Sequence, residues 1–244
     1  MASAVAVELL LGGTVVLGAS VQWLTGMGFA LIAVPALVLV LGPAQGVVLA
    51  NCAAGVISVV GLTAGWRRVR LGAMVPLVVA SACTVPAGSW VAARLPEPVL
   101  LAGVGVLVTA AVGFVMGGVR IRALSGTRGA VTAGAMGGFM NSAAGVGGPP
   151  YSLYAVNAGW PVREFVPNAQ FYGIVVNVFS VAVNGVPDLS GTAWTVAAAA
   201  MVAGALIGRA LAPRIPEQWV RRLILVLALT GGLTVLAKGL QAMC

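Results

Sequence analysis

The sequence predicts an all-α polytopic integral membrane protein of two inverted repeats, each combining a broken, re-entrant segment with three transmembrane helices. Three observations carry this. Of 244 residues, 60% are hydrophobic and 7% charged, and apolar runs follow one another from end to end, leaving no stretch for a soluble domain; about 20 such residues suffice to cross a bilayer. The signature Arg94-Leu-Pro-Glu97 returns as Arg214-Ile-Pro-Glu217, an offset of 120, with Gly88 falling on Gly208. Finally, Lys and Arg segregate to one side of a membrane only if the second copy is turned over relative to the first.

The first repeat is expected over residues 1–123 and the second over 124–244, forming one membrane domain. Each opens with a long apolar segment, 5–41 and 129–158. As one straight helix, 5–41 would measure ~55 Å against a hydrocarbon core of ~30 Å, so it must fold back, lie flat or tilt. Glycine pairs interrupt both segments: Gly26 and Gly28 fall on Gly145 and Gly147 at an offset of 119, and Gly148-Pro-Pro150 follows the second pair. Such a break strips backbone groups of helical partners, which is tolerated in a membrane only against protein or a polar cavity. The first run lacks a basic leader, contains Glu8 and continues to Leu41, so it reads as retained structure rather than a signal peptide. The remaining spans are placed at 46–63, 71–93 and 98–118, then 165–183, 190–211 and 218–238. Eight serial crossings would split the basic residues seven to six. If each long segment dips in and returns to its own side, eleven lie together and only Arg94 and Lys238 lie opposite, as the positive-inside bias requires.

The net charge of +8 thus reads as topology, with the lipid bilayer as partner and no nucleic acid. There is no histidine, the three cysteines have no metal spacing, and no set of carboxylates or Ser/His/Asp can be assembled. No enzyme, metal or cofactor is expected. What remains is a small polar set around the breaks. Gln22 and Thr25 precede Gly26 and Gly28, while Asn141 and Ser142 precede Gly145, Gly147 and Gly148. The following spans carry Asn51 in one copy and Asn168 and Gln170 in the other, with Asn177 two turns on. If the tips converge, half-helix N-termini present N–H donors and the positive end of the peptide dipole, which hold an anion without a formal cation. These twelve residues, Asn177 apart, are the candidate substrate contacts. Close helix packing by small residues is the better account of any single glycine pair, while two interruptions in matched places favour a site over packing.

These motifs resemble the TauE/SafE sulfite-exporter family: Thr25-Gly-Met-Gly-Phe-Ala-Leu-Ile-Ala-Val-Pro35, Leu49-Ala-Asn51, Asn141-Ser-Ala-Ala-Gly-Val-Gly-Gly-Pro149 and Pro167-Asn-Ala-Gln170. The resemblance covers essentially the whole chain. It implies a secondary transporter in the cytoplasmic membrane, without an ATP site, moving a small sulfur-containing or organic anion such as sulfite or a sulfonate, with a proton or other ion as possible coupling partner. Many members carry an acid before each glycine break and a lysine after the Asn. Here Gln22 or Thr25, Asn141, Cys52 and Ala169 or Gln170 stand in those places, leaving backbone N–H groups and amides to hold the anion. An anion channel and a non-transporting assembly protein are the alternatives; saturable flux distinguishes a carrier from a channel, and a solvated centre distinguishes either from an assembly protein.

Overall fold

A computed structural model describes residues 2–26, 28–63, 65–117, 125–211, 214 and 217–243. Among these the regular structure is entirely helical. The long segment 5–41 is two helices, α1 (Ala2–Thr25) and α2 (Phe29–Leu41). Three spans follow, α3 (Pro43–Leu62), α4 (Leu71–Arg94) and α5 (Glu97–Gly117), with a 3₁₀ turn at Trp66–Arg68. The second half repeats the order with α6 (Gly126–Ala144), α7 (Gly148–Asn157), α8 (Val162–Asn184), α9 (Gly191–Leu211) and α10 (Glu217–Gln241). The junction between the expected repeats lies in 118–124, outside the described residues. So do Ile215 and Pro216 of the recurring loop signature. Helices α3, α4, α5, α8 and α9 are long and apolar enough to cross a membrane, and large apolar side chains such as Leu9, Val79 and Leu206 face outward, as lipid contact demands.

The long segments fold back. Phe29 and Ala33 of α2 lie against Gly18 of α1, and Val21 packs with Ile32, so α2 retraces α1. At 1.5 Å per residue α1 is ~36 Å long, whereas α2 is ~20 Å and α7 ~15 Å, too short to cross.

Helix directions follow from which glycines meet which partners. Helices α1 and α9 are parallel, since Gly12 meets Val196, Gly204 meets Val16 and Ala19, and Gly208 meets Ser20 and Trp23. Helices α4 and α6 are parallel too: Gly134 meets Leu77, Gly138 meets Ser81, and Gly88 meets Phe139. In contrast, α3 and α8 are antiparallel (Gly55 with Asn177, Ser58 with Gly173, Gly61 with Gln170), and so are α5 and α10 (Ala102 with Gly239, Gly105 with Leu236). The counterparts α3 and α8, and α5 and α10, therefore run opposite to one another, and the exchanged pairings of α1 with α9 and α4 with α6 agree with a second half turned over relative to the first. The pair Gly88 and Gly208 makes the same contact twice, each set against the backbone carbonyl of the partner helix, Phe139 or Ser20. Absence of a Cβ lets these backbones approach. Hydroxyls then bridge the same seams, Ser81 Oγ donating to the Gly134 carbonyl at 2.8 Å and Ser20 Oγ to the Gly204 carbonyl at 3.0 Å; bonds of this kind add roughly 0.6 kcal/mol each.

These directions bring Arg67, Arg68, Arg70, Arg128, Arg163, Arg209, Arg214 and Arg222 to one end of the bundle, here called the basic end. Arg94 and Lys238 lie at the other, while Arg120 and Arg122 fall outside the described residues. Packing also differs between halves. The first half forms an aliphatic core around Val15, Phe29, Val34, Leu37 and Leu49, where a Cβ at Gly46 would fall 2.7 Å from the Leu37–Val38 peptide. The second half is plated with aromatics: Tyr151 stacks on Tyr172 at 5.3 Å, with Trp160 and Phe165 against it.

Candidate substrate-binding site

Both breaks are built alike at their first step. Gly26 and Gly145 adopt φ of 77° and 71°, a left-handed turn that a glycine takes without strain. The Gly26 N–H donates to the Gln22 carbonyl and the Gly145 N–H to the Asn141 carbonyl, both at 2.8 Å, and Val146 N–H reaches the Met140 carbonyl at 3.4 Å. The carboxyl ends of α1 and α6 are thereby partly capped, which blunts their negative dipole ends.

Helices α2 and α7 start on the far side of these turns, and their N-termini face a shared cavity of about 460 Å³. Gly26, Gly28, Phe29, Ala30 and Leu31 line it from the first break; Asn141 and 145–149 line it from the second. Ser58, Gly173, Val176, Asn177 and Tyr172 form the wall between, and Thr25, Val156, Trp160, Phe165 and Leu225 lie toward the basic end. Among the described residues that line it there is no lysine, arginine, aspartate or glutamate.

The hairpins pass one another rather than meeting tip to tip. Gln22 is level with Ser58 and Gln170, whereas Asn141 is level with Asn51 and Asn177. Those levels are seven residues apart along α3 and along α8, ~10 Å. The first break consequently sits near the basic end of the cavity and the second at its floor. Arg70 marks that end: its guanidinium lies 5.6 Å from the centre of the Trp160 ring and 3.2 Å from Glu164 Oε2.

Of the residues singled out from sequence, Gln22, Thr25, Gly26, Gly28, Asn141, Gly145, Gly147 and Gly148 line the cavity. Gln22 Nε2 donates to Ser58 Oγ at 2.8 Å, to the Ala54 carbonyl at 3.2 Å and to Gln170 Oε1 at 3.4 Å, which places Gln170 behind the wall. Thr25 Oγ1 donates to the Val21 carbonyl at 2.9 Å. Three others are held elsewhere. Asn168 accepts the Arg70 N–H at 2.8 Å and donates to the Glu164 carbonyl at 2.7 Å, clasping the loop at 66–70. Ser142 accepts from Asn184 Nδ2 at its hydroxyl (3.2 Å) and its carbonyl (3.3 Å). Asn51 donates to the Asn141 carbonyl at 3.3 Å, while its Oδ1 is sealed without a donor. An orphaned buried acceptor costs about 1–3 kcal/mol.

Ser58, Tyr172 and Gly173 line the cavity without having been singled out from sequence, and Asn177, noted there but not chosen as a contact, lines it too. Helical spacing held part of the signal: Ser58 is seven residues from Asn51, and Gln170, Gly173 and Asn177 share one helical face.

A polytopic helical bundle whose broken helices end at a shared cavity, mostly apolar with a few polar groups set into it, has the architecture of a membrane transporter. The family model for the sulfite exporter TauE/SafE matches residues 10–235, and the chain belongs to that family, whose members are transporters and not enzymes. No curated protein and no solved structure matches the chain.

Proposed function

We propose that the chain is a secondary carrier that moves a small anion, of the sulfite or sulfonate class, across the cytoplasmic membrane. On this reading the anion binds in the 460 Å³ cavity, and the two oppositely directed halves rock about it to expose it to each side in turn. The observation that supports it is electrostatic. Two half-helices begin at one cavity, and three amides of the α2 first turn, those of Phe29, Ala30 and Leu31, have no carbonyl four residues back within the helix. The opposing carboxyl ends are partly capped. A cavity furnished this way favours negative charge without a side-chain cation. The positive-inside rule assigns the basic end to the cytoplasm, so on this reading the anion would reach the cavity from the cell, past Thr25, Trp160 and Phe165.

Uptake of labelled sulfite and methanesulfonate into proteoliposomes tests this. Saturable flux with counterflow is expected. Conductance that never saturates would make the protein a channel, and the absence of any anion flux would remove the reading.

A further inference from the structure

We propose that Asn177 is the side chain that selects the head group of the carried anion, and that the second break dictates which way it faces. This rests on the anion-carrier reading above. The Gly147 N–H donates to Asn141 Oδ1 at 3.2 Å. A backbone N–H can only donate, so the Asn141 oxygen must face it and the Asn141 NH2 must face away. That NH2 donates to Asn177 Oδ1 at 3.0 Å and to Ser180 Oγ at 2.9 Å. With its oxygen spent on Asn141, Asn177 turns its own NH2 elsewhere. The two ends of an amide are distinguished by their partners and not by shape, and here the chain of partners begins at an atom whose polarity is fixed.

The freed NH2 has a destination. Asn177 lines the cavity, and its Nδ2 is not among the sealed, partnerless atoms of the described residues. Gly173, one turn earlier on the same face, keeps the space beside it open. A Cβ at Gly173 would lie 2.7 Å from Ser58 Oγ and 4.0 Å from Asn177 Nδ2, so a single methyl would fill this cradle. Ser58 Oγ already accepts from Gln22 Nε2 at 2.8 Å, which leaves its own proton to give. Two donors thus flank one small space. It suits a head group rich in lone pairs and poor in protons, and disfavours a neutral isostere that brings N–H donors of its own, because donors would then face donors.

The test compares methanesulfonate with methanesulfonamide, nearly identical in shape, by thermal shift and calorimetry on the purified chain. Wild type is expected to prefer the sulfonate. Asn177→Leu should weaken sulfonate binding by about 10- to 100-fold, the worth of one hydrogen bond to a charged group, and change sulfonamide binding by less than about threefold. Asn177→Asp, which still accepts from Asn141 but can no longer donate to the cavity, should reverse the preference. Gly173→Ala leaves the Asn141–Asn177 bond intact and should cause the same sulfonate loss, which keeps the test valid if Asn177→Leu misfolds. Sulfonate affinity retained in Gly173→Ala and in the folded Asn177 variants would overturn the assignment while leaving the carrier reading standing. A wild type that binds neither compound also overturns the assignment, and the carrier reading is then decided by the flux assay above.

Discussion

The two breaks share a turn and differ in what they do with the donors it frees. At the first, α2 begins Phe29-Ala-Leu31, residues that line the cavity and whose amides have no carbonyl four residues back within the helix. At the second, Pro149 and Pro150 occupy the first turn of α7 and bring no N–H, and the Gly147 N–H is taken by Asn141. Gln22 and Asn141 stand four residues before the capping glycines and diverge accordingly. Gln22 spends its NH2 on Ala54, Ser58 and Gln170, while Asn141 spends its NH2 on Asn177 and Ser180. One break thus offers hydrogen bonds from backbone, and the other hands them on through side chains. The two interruptions share a geometry and differ in chemistry.

The largest effect that would break this comparison comes from the turns themselves. Replacing either left-handed glycine with valine costs about 1–2 kcal/mol in backbone strain. At Gly145 the added Cβ would also lie 2.9 Å from Val34 Cγ2 in the aliphatic core, adding about 1–3 kcal/mol of overpacking. At Gly26 the nearest atom is Val166 Cγ1 at 3.1 Å. Gly145→Val is expected to lower the melting temperature in detergent more than Gly26→Val, and equal shifts would mean that the two turns are equally constrained.

A middle-sized effect should come from making the first break resemble the second. Ala30→Pro removes one N–H from the α2 first turn, where proline is compatible with a helix, as Pro149 is in α7. Affinity for sulfite, read from the concentration dependence of flux, is expected to fall about tenfold or more. The reverse change, Pro149→Ala, should leave it unchanged or improve it. Loss of affinity in Pro149→Ala with none in Ala30→Pro would reverse the roles given to the two breaks.

The smallest effect concerns the two ends of the bundle. Arg70→Gln removes a half-exposed ion pair with Glu164, worth at most about 1 kcal/mol of stability. It should nonetheless slow flux from the basic end at low salt and matter little at high salt. Arg94→Gln at the opposite end, where the guanidinium sits 4.0 Å from the centre of the Trp90 ring, should leave that rate alone.

Much of this architecture was legible in the sequence because its causes are local. Glycine pairs and Pro149-Pro150 interrupt a helix wherever they occur, and counting arginines on each side of the spans was enough to predict that the second half is turned over. The site was legible only where it coincided with the interruptions. Asn168 looked equivalent to Asn51 because each opens a span after a glycine break. Yet Asn168 is captured by the Arg70 N–H from 98 residues away, a contact that no local pattern encodes. Ser58 escaped, and Asn177 was noted but not chosen, for the converse reason. Each is an ordinary polar residue at helical spacing, and what makes them neighbours of one cavity is the antiparallel register of α3 and α8, visible in Gly173 meeting Ser58.

The absence of charge among the described lining residues has an energetic corollary. On the carrier reading proposed above, a monovalent anion that crosses unaccompanied moves one net charge, and among the described lining residues there is no carboxylate to carry a coupling proton with it. Moving one elementary charge through 100 mV is worth about 2.3 kcal/mol, and a potential negative inside drives an anion outward. For a monovalent passenger, membrane voltage alone would then power expulsion, and no second ion need travel with it.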